Sequence, residues 1–162
     1  MKAGPGGRRV GAWMIAAGLA VVATAAGYAY VTAISGDGKA DGDDAERLAL
    51  GQRVYVDACA SCHGENLEGQ ADWRLRNADG RLPAPPHDPT GHTWHHPDQM
   101  LFEMTKLGIE ALAPEGYQSD MPGFADDLSD GEIRAVLAFI RSTWPPKIQT
   151  RQEEATKRYQ AN

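Results

Sequence analysis

Hydrophobic positions are spread very unevenly along the 162 residues. Val10 to Ile34 is a run of 25 residues without one charged side chain. As a helix it reaches about 37 Å at 1.5 Å per residue, against a bilayer hydrocarbon core of about 30 Å. The run predicts a transmembrane anchor over 10–34. Arg8 and Arg9 precede it and Asp37 follows it, so the positive flank places residues 1–9 in the cytoplasm and everything after the anchor outside. Trp13, Tyr28 and Tyr30 lie near its ends, where amphipathic rings favour the interface. The competing reading is an export signal cut after the small residues Ala23-Thr24-Ala25, although signal cores usually run only about 7–15 residues. Either way the rest of the chain is exported.

Beyond the run, the pattern changes character twice. Residues 35–44 read SGDGKADGDD, a flexible acidic linker that repels itself and buries nothing. From Ala45 to about Ala58, Leu48, Gly51 and Tyr55 fall on one side of a helix. Gly64 to Pro97 is crowded with Gly, Asn and Asp and holds Pro83, Pro85, Pro86 and Pro89, which predicts loop. A further helix starts at Pro97-Asp98, carries Leu101, Met104 and Leu107, and ends at Gly108. The clearest helix follows Ser129, which with Glu132 makes a capping box ahead of Ile133, Val136, Leu137 and Ile140. Pro145-Pro146 stops it. Residues 147–162 are polar throughout and read as a solvated tail or short exposed helix. No segment alternates as a strand does, so the expected fold is all-α with long loops, a domain over 45–146.

Composition narrows the function. With 42% hydrophobic and 23% charged residues the chain lies in the ordinary globular range. Of its 16 Lys and Arg, Lys2, Arg8 and Arg9 precede the first acidic residue, so 13 face 22 Asp and Glu in the remainder, a balance of −9. That excludes a broad basic face for nucleic acid. The two cysteines lie three positions apart, which is too few for a stapled secreted scaffold.

Those cysteines form Cys59-Ala60-Ser61-Cys62-His63, the C-x-x-C-H signature of covalent haem attachment. Two thiols one helical turn apart can add to the vinyl groups on one porphyrin edge, and the adjacent histidine then faces the iron. A thioredoxin-type dithiol belongs beside a βαβ pattern, which is missing here, and zinc would want a second ligand pair. Candidates for a sixth ligand are Met100, Met104, Met121 and the four other histidines. Met100 and Met104 sit at helical spacing, where methionine usually packs a core. Met121 lies in the loop Gln118-Ser119-Asp120-Met121-Pro122-Gly123-Phe124, stiffened by Pro122, and a constrained loop loses less entropy on binding iron. Met121 is the favoured ligand and a spare histidine the alternative.

These residues, with Met121-Pro122 about sixty positions after the cysteines and a capped last helix, resemble a class I c-type cytochrome over roughly Leu48 to Trp144. The resemblance implies a small all-α cytochrome c-like domain whose long loops wrap one covalently bound haem c, with His63 and Met121 as axial ligands. It implies that Gly51 and Tyr55 of the first helix pack against Phe139 or Trp144, and that Pro85 or Pro86 offers a carbonyl to the ring N–H of His63. Trp94, in the loop between the cysteines and Met121, is a candidate for the haem surroundings, in a propionate or surface role.

The chain departs from that family in its histidines, since His87, His92, His95 and His96 fall within ten positions. They are donors suited to copper or zinc, to a haem propionate, or to a docking surface. The expectation is a membrane-tethered monohaem electron carrier, not an enzyme, in a bacterial inner membrane with its haem domain in the periplasm. Its expected donor is a quinol-oxidising complex and its acceptor an oxidase or reaction centre; the alternative is a haem-bearing subunit of an oxidoreductase or terminal oxidase.

Overall fold

The first helix begins among small and charged residues and gains an apolar side only from Leu48 onward. The structure, a computed structural model, describes residues 43–162. The expected N-terminal segment 1–9, the anchor 10–34 and all but the end of the 35–44 linker lie outside the described residues. Among the described residues no helix is long and apolar enough to cross a membrane. Ala45–Asn162 forms one unit, built only of helices, turns and loops.

Helix α1 covers 43–54. It passes into a π-helical turn, Tyr55–Cys59, in which the Ala60 N–H reaches back to the Tyr55 carbonyl, and then into α2, Ala60–His63. The wide turn inserts one residue, which rotates all that follows by about 100°. Helix α3 spans Asp98–Leu107 and α4 spans Asp130–Ser142, and a 3-10 turn, Thr93–His95, interrupts the long loop between α2 and α3. The capping box at Ser129 and Glu132 forms in full, and Gly108 closes α3 at φ +83°.

The core is the crossing of α1 on α4. Val54 and Tyr55 from one side meet Val136, Ile140 and Trp144 from the other, with Ala60 and Leu67 completing the cluster. Gly51 makes the crossing close: a Cβ there would lie 2.1 Å from the Ala135 carbonyl oxygen and 2.8 Å from Phe139 Cβ. Tyr55 and Phe139 rings stand 5.7 Å apart, so Phe139 packs beside Gly51 and Tyr55, and Trp144 belongs to the same buried cluster as Tyr55.

Of the two expectations for 147–162, a solvated tail or a short exposed helix, the residues take the helical one, but the helix is long and buries one side. Pro146 occupies the first turn of a fifteen-residue helix, α5, Pro146–Gln160, because proline's fixed φ and missing N–H suit that position. Polar composition hid its buried side, which is itself polar: Gln152 is 1% exposed and Thr156 9%. Thr156 Oγ1 accepts the Asp98 N–H at 3.0 Å, and Gln152 Nε2 donates to Asp98 Oδ1 at 2.5 Å. Helix α3 has no side-chain cap of its own, so α5 supplies one from 58 residues away. An Arg141–Glu153 ion pair adds a second tie to α4. Gln152→Ala removes a buried donor from a carboxylate, which costs about 1–3 kcal/mol. The expected result is faster hydrogen exchange of the α5 amides while those of α4 keep their protection; unchanged α5 protection would mean that the helix docks by other means.

Candidate haem site

The loop after α2 folds straight back over the helix. Gly64, at φ +84°, turns the chain away from α2, and Tyr55 Oη donates to its carbonyl at 2.7 Å. Leu67 adopts φ +66°, a conformation that costs a non-glycine residue roughly 1–3 kcal/mol. The cost is offset because its carbonyl there accepts both the His87 N–H at 2.8 Å and the Asp88 N–H at 3.1 Å. Gly69 passes so near the prolines that a Cβ would lie 2.4 Å from Pro86 N, and one on Gly91 would lie 2.0 Å from the Pro86 carbonyl oxygen. Two glycines thus clamp Pro85-Pro86 beside α2.

His63, 7% exposed, ends α2 facing that clamp. Its Nδ1 lies 2.8 Å from the Pro85 carbonyl oxygen, and since a carbonyl only accepts, Nδ1 carries the proton and Nε2 is left with its lone pair. Pro85, not Pro86, makes this bond; Pro86 is the buried wedge between Gly69 and Gly91. Burial lowers the His63 ring pKa, with the Pro85 bond opposing it, which keeps the ring neutral and able to ligate. A hydrogen bond of this kind orients a ligating imidazole and raises its basicity.

Cys59 is half-buried and Cys62 exposed on the same short segment. Burial, with Cys62 adding, pushes the Cys59 thiol up to about 11. Reactive dithiols work by the opposite shift, toward thiolate, so Cys59 is not activated in that way.

Met121 is half-buried on a loop fixed at both ends. Its N–H donates to Ser119 Oγ at 3.1 Å, and the Ser119 N–H donates to Glu110 Oε1. Just beyond it, Phe124 and Ala125 donate to the Thr105 and Lys106 carbonyls of α3. Gly108 and Gly123 let the two segments touch: a Cβ on Gly108 would lie 2.8 Å from Gly123 N, and one on Gly123 2.7 Å from the Leu107 carbonyl. Asp120, next to Met121, accepts from Arg81 at 2.8 Å. Neither the glycine pair nor the Arg81 clasp leaves a local mark in the sequence, where Gly108 marks only the end of a helix. Met100 and Met104 lie on α3 itself, half-buried.

Whether these residues suit a haem is tested by the donors they leave over. Arg81 Nε and Trp94 Nε1 are buried without a hydrogen-bond partner, a state that costs about 1–3 kcal/mol per group unless an acceptor is supplied. Trp94, like Cys59, packs against the cluster that contains Ala60 and Leu67, and Arg81 is tied to the residue beside Met121. Each is a donor of the kind that a carboxylate such as a haem propionate accepts from. The histidines do not come together as a metal site: among the described residues no group of three or more His, Cys, Asp or Glu stands close enough to hold an ion. His92 stacks on Trp73 and His95 on Trp94.

The sequence profile of the cytochrome c family matches residues 48–144. The chain belongs to the cytochrome c family. The matched stretch runs from α1 through α4 to Trp144, and the family implies haem c bound covalently, for which Cys59 and Cys62 have the spacing. This cytochrome is also similar to the cbb3-type cytochrome c oxidase subunit CcoP of Rhodobacter capsulatus, 30% identical over 116 residues, covering 70% of this chain and 33% of that protein. The chain thus spans about a third of the length of that relative. No solved structure matches it. Haem-based electron transfer is the activity the family supports, and helix α5 lies beyond the matched region.

Proposed function

We propose that the protein is a membrane-tethered monohaem c-type cytochrome that carries single electrons between membrane complexes. Residues 1–9 lie in the cytoplasm, 10–34 anchor the chain in a bacterial inner membrane, 35–44 act as tether, and 45–146 form the haem domain in the periplasm. Cys59 and Cys62 hold the haem, and His63 and Met121 hold its iron. When bound, haem c supplies a one-electron ferric–ferrous couple, and histidine–methionine ligation raises its potential. The observation that carries this reading is His63, with Nδ1 committed to Pro85 and Nε2 free, in the same domain as a methionine loop fixed by five backbone and side-chain ties. Trp94 and Arg81 donate to the propionates.

With both axial positions filled, the domain changes oxidation state without taking a substrate. A ten-residue tether of this composition spans about 17 Å, so the domain stays among its partners and a weak contact suffices. The donor is a quinol-oxidising complex and the acceptor an oxidase or reaction centre. The −9 balance after the anchor favours basic patches on those partners and a transfer rate that falls as ionic strength rises. Likeness to CcoP favours a second reading, a haem-bearing subunit held permanently in an oxidase; recovery in fixed stoichiometry with an oxidase would select it.

The test uses the full chain. Salt-washed native membranes are expected to retain it with its N-terminal residues intact and to oxidise the reduced protein in stopped flow, while the ferric protein binds cyanide only slowly. Prompt cyanide binding without membrane-supported oxidation overturns the carrier reading, and a mature N-terminus at Ala26 overturns the anchor.

A further inference from the structure

Of the four histidines outside the C-x-x-C-H segment, His87 alone reaches the proximal side of the site. Its ring stacks on His63, centroids 3.9 Å apart and planes 23° from parallel. Both backbone polar groups of His87 and its Nδ1 are engaged. The N–H donates to Leu67 O at 2.8 Å, and the carbonyl accepts from Trp144 Nε1 at 2.7 Å. Nδ1 lies 2.8 Å from Oγ1 of buried Thr93, and Tyr55 meets the ring edge-on at 6.4 Å. The residue is therefore tied to the π-helical turn, to the Leu67 turn, to the 3-10 turn and to Trp144 beyond α4.

We infer that His87 is the positioning residue for His63: its stacked ring fixes the plane of the axial imidazole, and thereby the electronic structure and reduction potential of the bound haem. The inference rests on the reading of His63 as iron ligand. The Pro85 bond by itself sets one atom of the His63 ring. A second constraint against the ring face is needed to stop the plane from tilting about that bond, and a flat side chain supplies it where an aliphatic one, with no plane, does not. Placing an imidazole there requires an acceptor or donor for its nitrogen, since a buried unpaired polar group costs about 1–3 kcal/mol. Thr93 meets that need. The direction of the axial imidazole plane sets how the iron d orbitals split, so the ring that holds the plane also tunes the couple, in the manner of outer ligand-sphere contacts generally.

The test compares wild-type holoprotein with His87→Leu and His87→Phe by electron paramagnetic resonance of the ferric form and by spectroelectrochemical titration. His87→Leu is expected to change the g-anisotropy and to shift the reduction equilibrium about tenfold, 59 mV for one electron. His87→Phe keeps a flat ring and is expected to retain the wild-type g-values. Wild-type spectra and potential in His87→Leu overturn the inference, as do equal changes in both variants, which would show a packing role without a stacking one. Where His87→Leu yields no holoprotein, His87→Phe decides: wild-type g-values support the stack and altered ones overturn it. A ferric spectrum unchanged in His63→Ala would instead overturn the ligand reading, which separates the two failures.

Discussion

Replacing Met121 with alanine is expected to abolish the weak red absorption of a ferric iron–thioether bond while the haem stays covalently attached. The reduction potential falls by at least about 59 mV, a tenfold change in the equilibrium constant, because the methionine thioether favours the ferrous state. The size of the effect follows from how the loop is built. Phe124 and Ala125 are hydrogen-bonded to the end of α3, and Gly108 and Gly123 are in backbone contact. The loop therefore holds its shape when the side chain is cut back, and the open position is filled by water or an added ligand, not by a shifted loop. Cyanide binding to the ferric variant is expected to become prompt. Retention of the red band in the variant would move the ligand to Met100 or Met104, and a pyridine haemochrome spectrum checks that both thioether links survive.

Gly51→Val is expected to cost about 3 kcal/mol or more, at the upper end of what overpacking does in a core, and to lower the yield of holoprotein sharply. The added Cβ meets the Ala135 carbonyl oxygen at 2.1 Å and its carbon at 2.6 Å, and backbone cannot rotate aside as a side-chain tip can. Helices α1 and α4 must separate, which opens the contact between Tyr55 and Phe139 and loosens the start of α2, where the cysteines and His63 stand. Even Gly51→Ala, which gains about 1 kcal/mol of helix propensity, is expected to lose more than it gains. Gly131→Ala is the matched control: its Cβ meets nothing nearer than Ser129 Oγ at 3.8 Å, so it is expected to be neutral or to stabilise by up to about 1 kcal/mol. Urea midpoints of the three holoproteins decide, and a wild-type midpoint in Gly51→Val would show that the helices do not cross at that glycine.

The sequence by itself determines what depends on near neighbours. The C-x-x-C-H spacing, the capping box at Ser129 and Glu132, the glycine stop at Gly108 and the apolar face of α4 are local patterns, each set by bonds or side-chain contacts within a few residues. They suffice for a helical fold, a cofactor class and the family. What only the tertiary structure decides depends on residues far apart in the chain. Pro85 and Pro86 are chemically equal in the sequence, and the choice between them as partner of His63 is made by Gly69 and Gly91, which lock one carbonyl in reach. Residues 147–162 read as a solvated tail or an exposed helix because hydropathy counts Gln152 and Thr156 as solvated, whereas both are buried and hydrogen-bonded to Asp98. The π-helical turn at Tyr55–Cys59 leaves no compositional mark, yet it sets the face on which the cysteines and His63 emerge. His87 lies in a histidine-rich stretch that resembles a metal site in one dimension. In three dimensions its ring stacks on His63, because its backbone is bonded to Leu67 and Trp144, while the rings of His92 and His95 stack on Trp73 and Trp94.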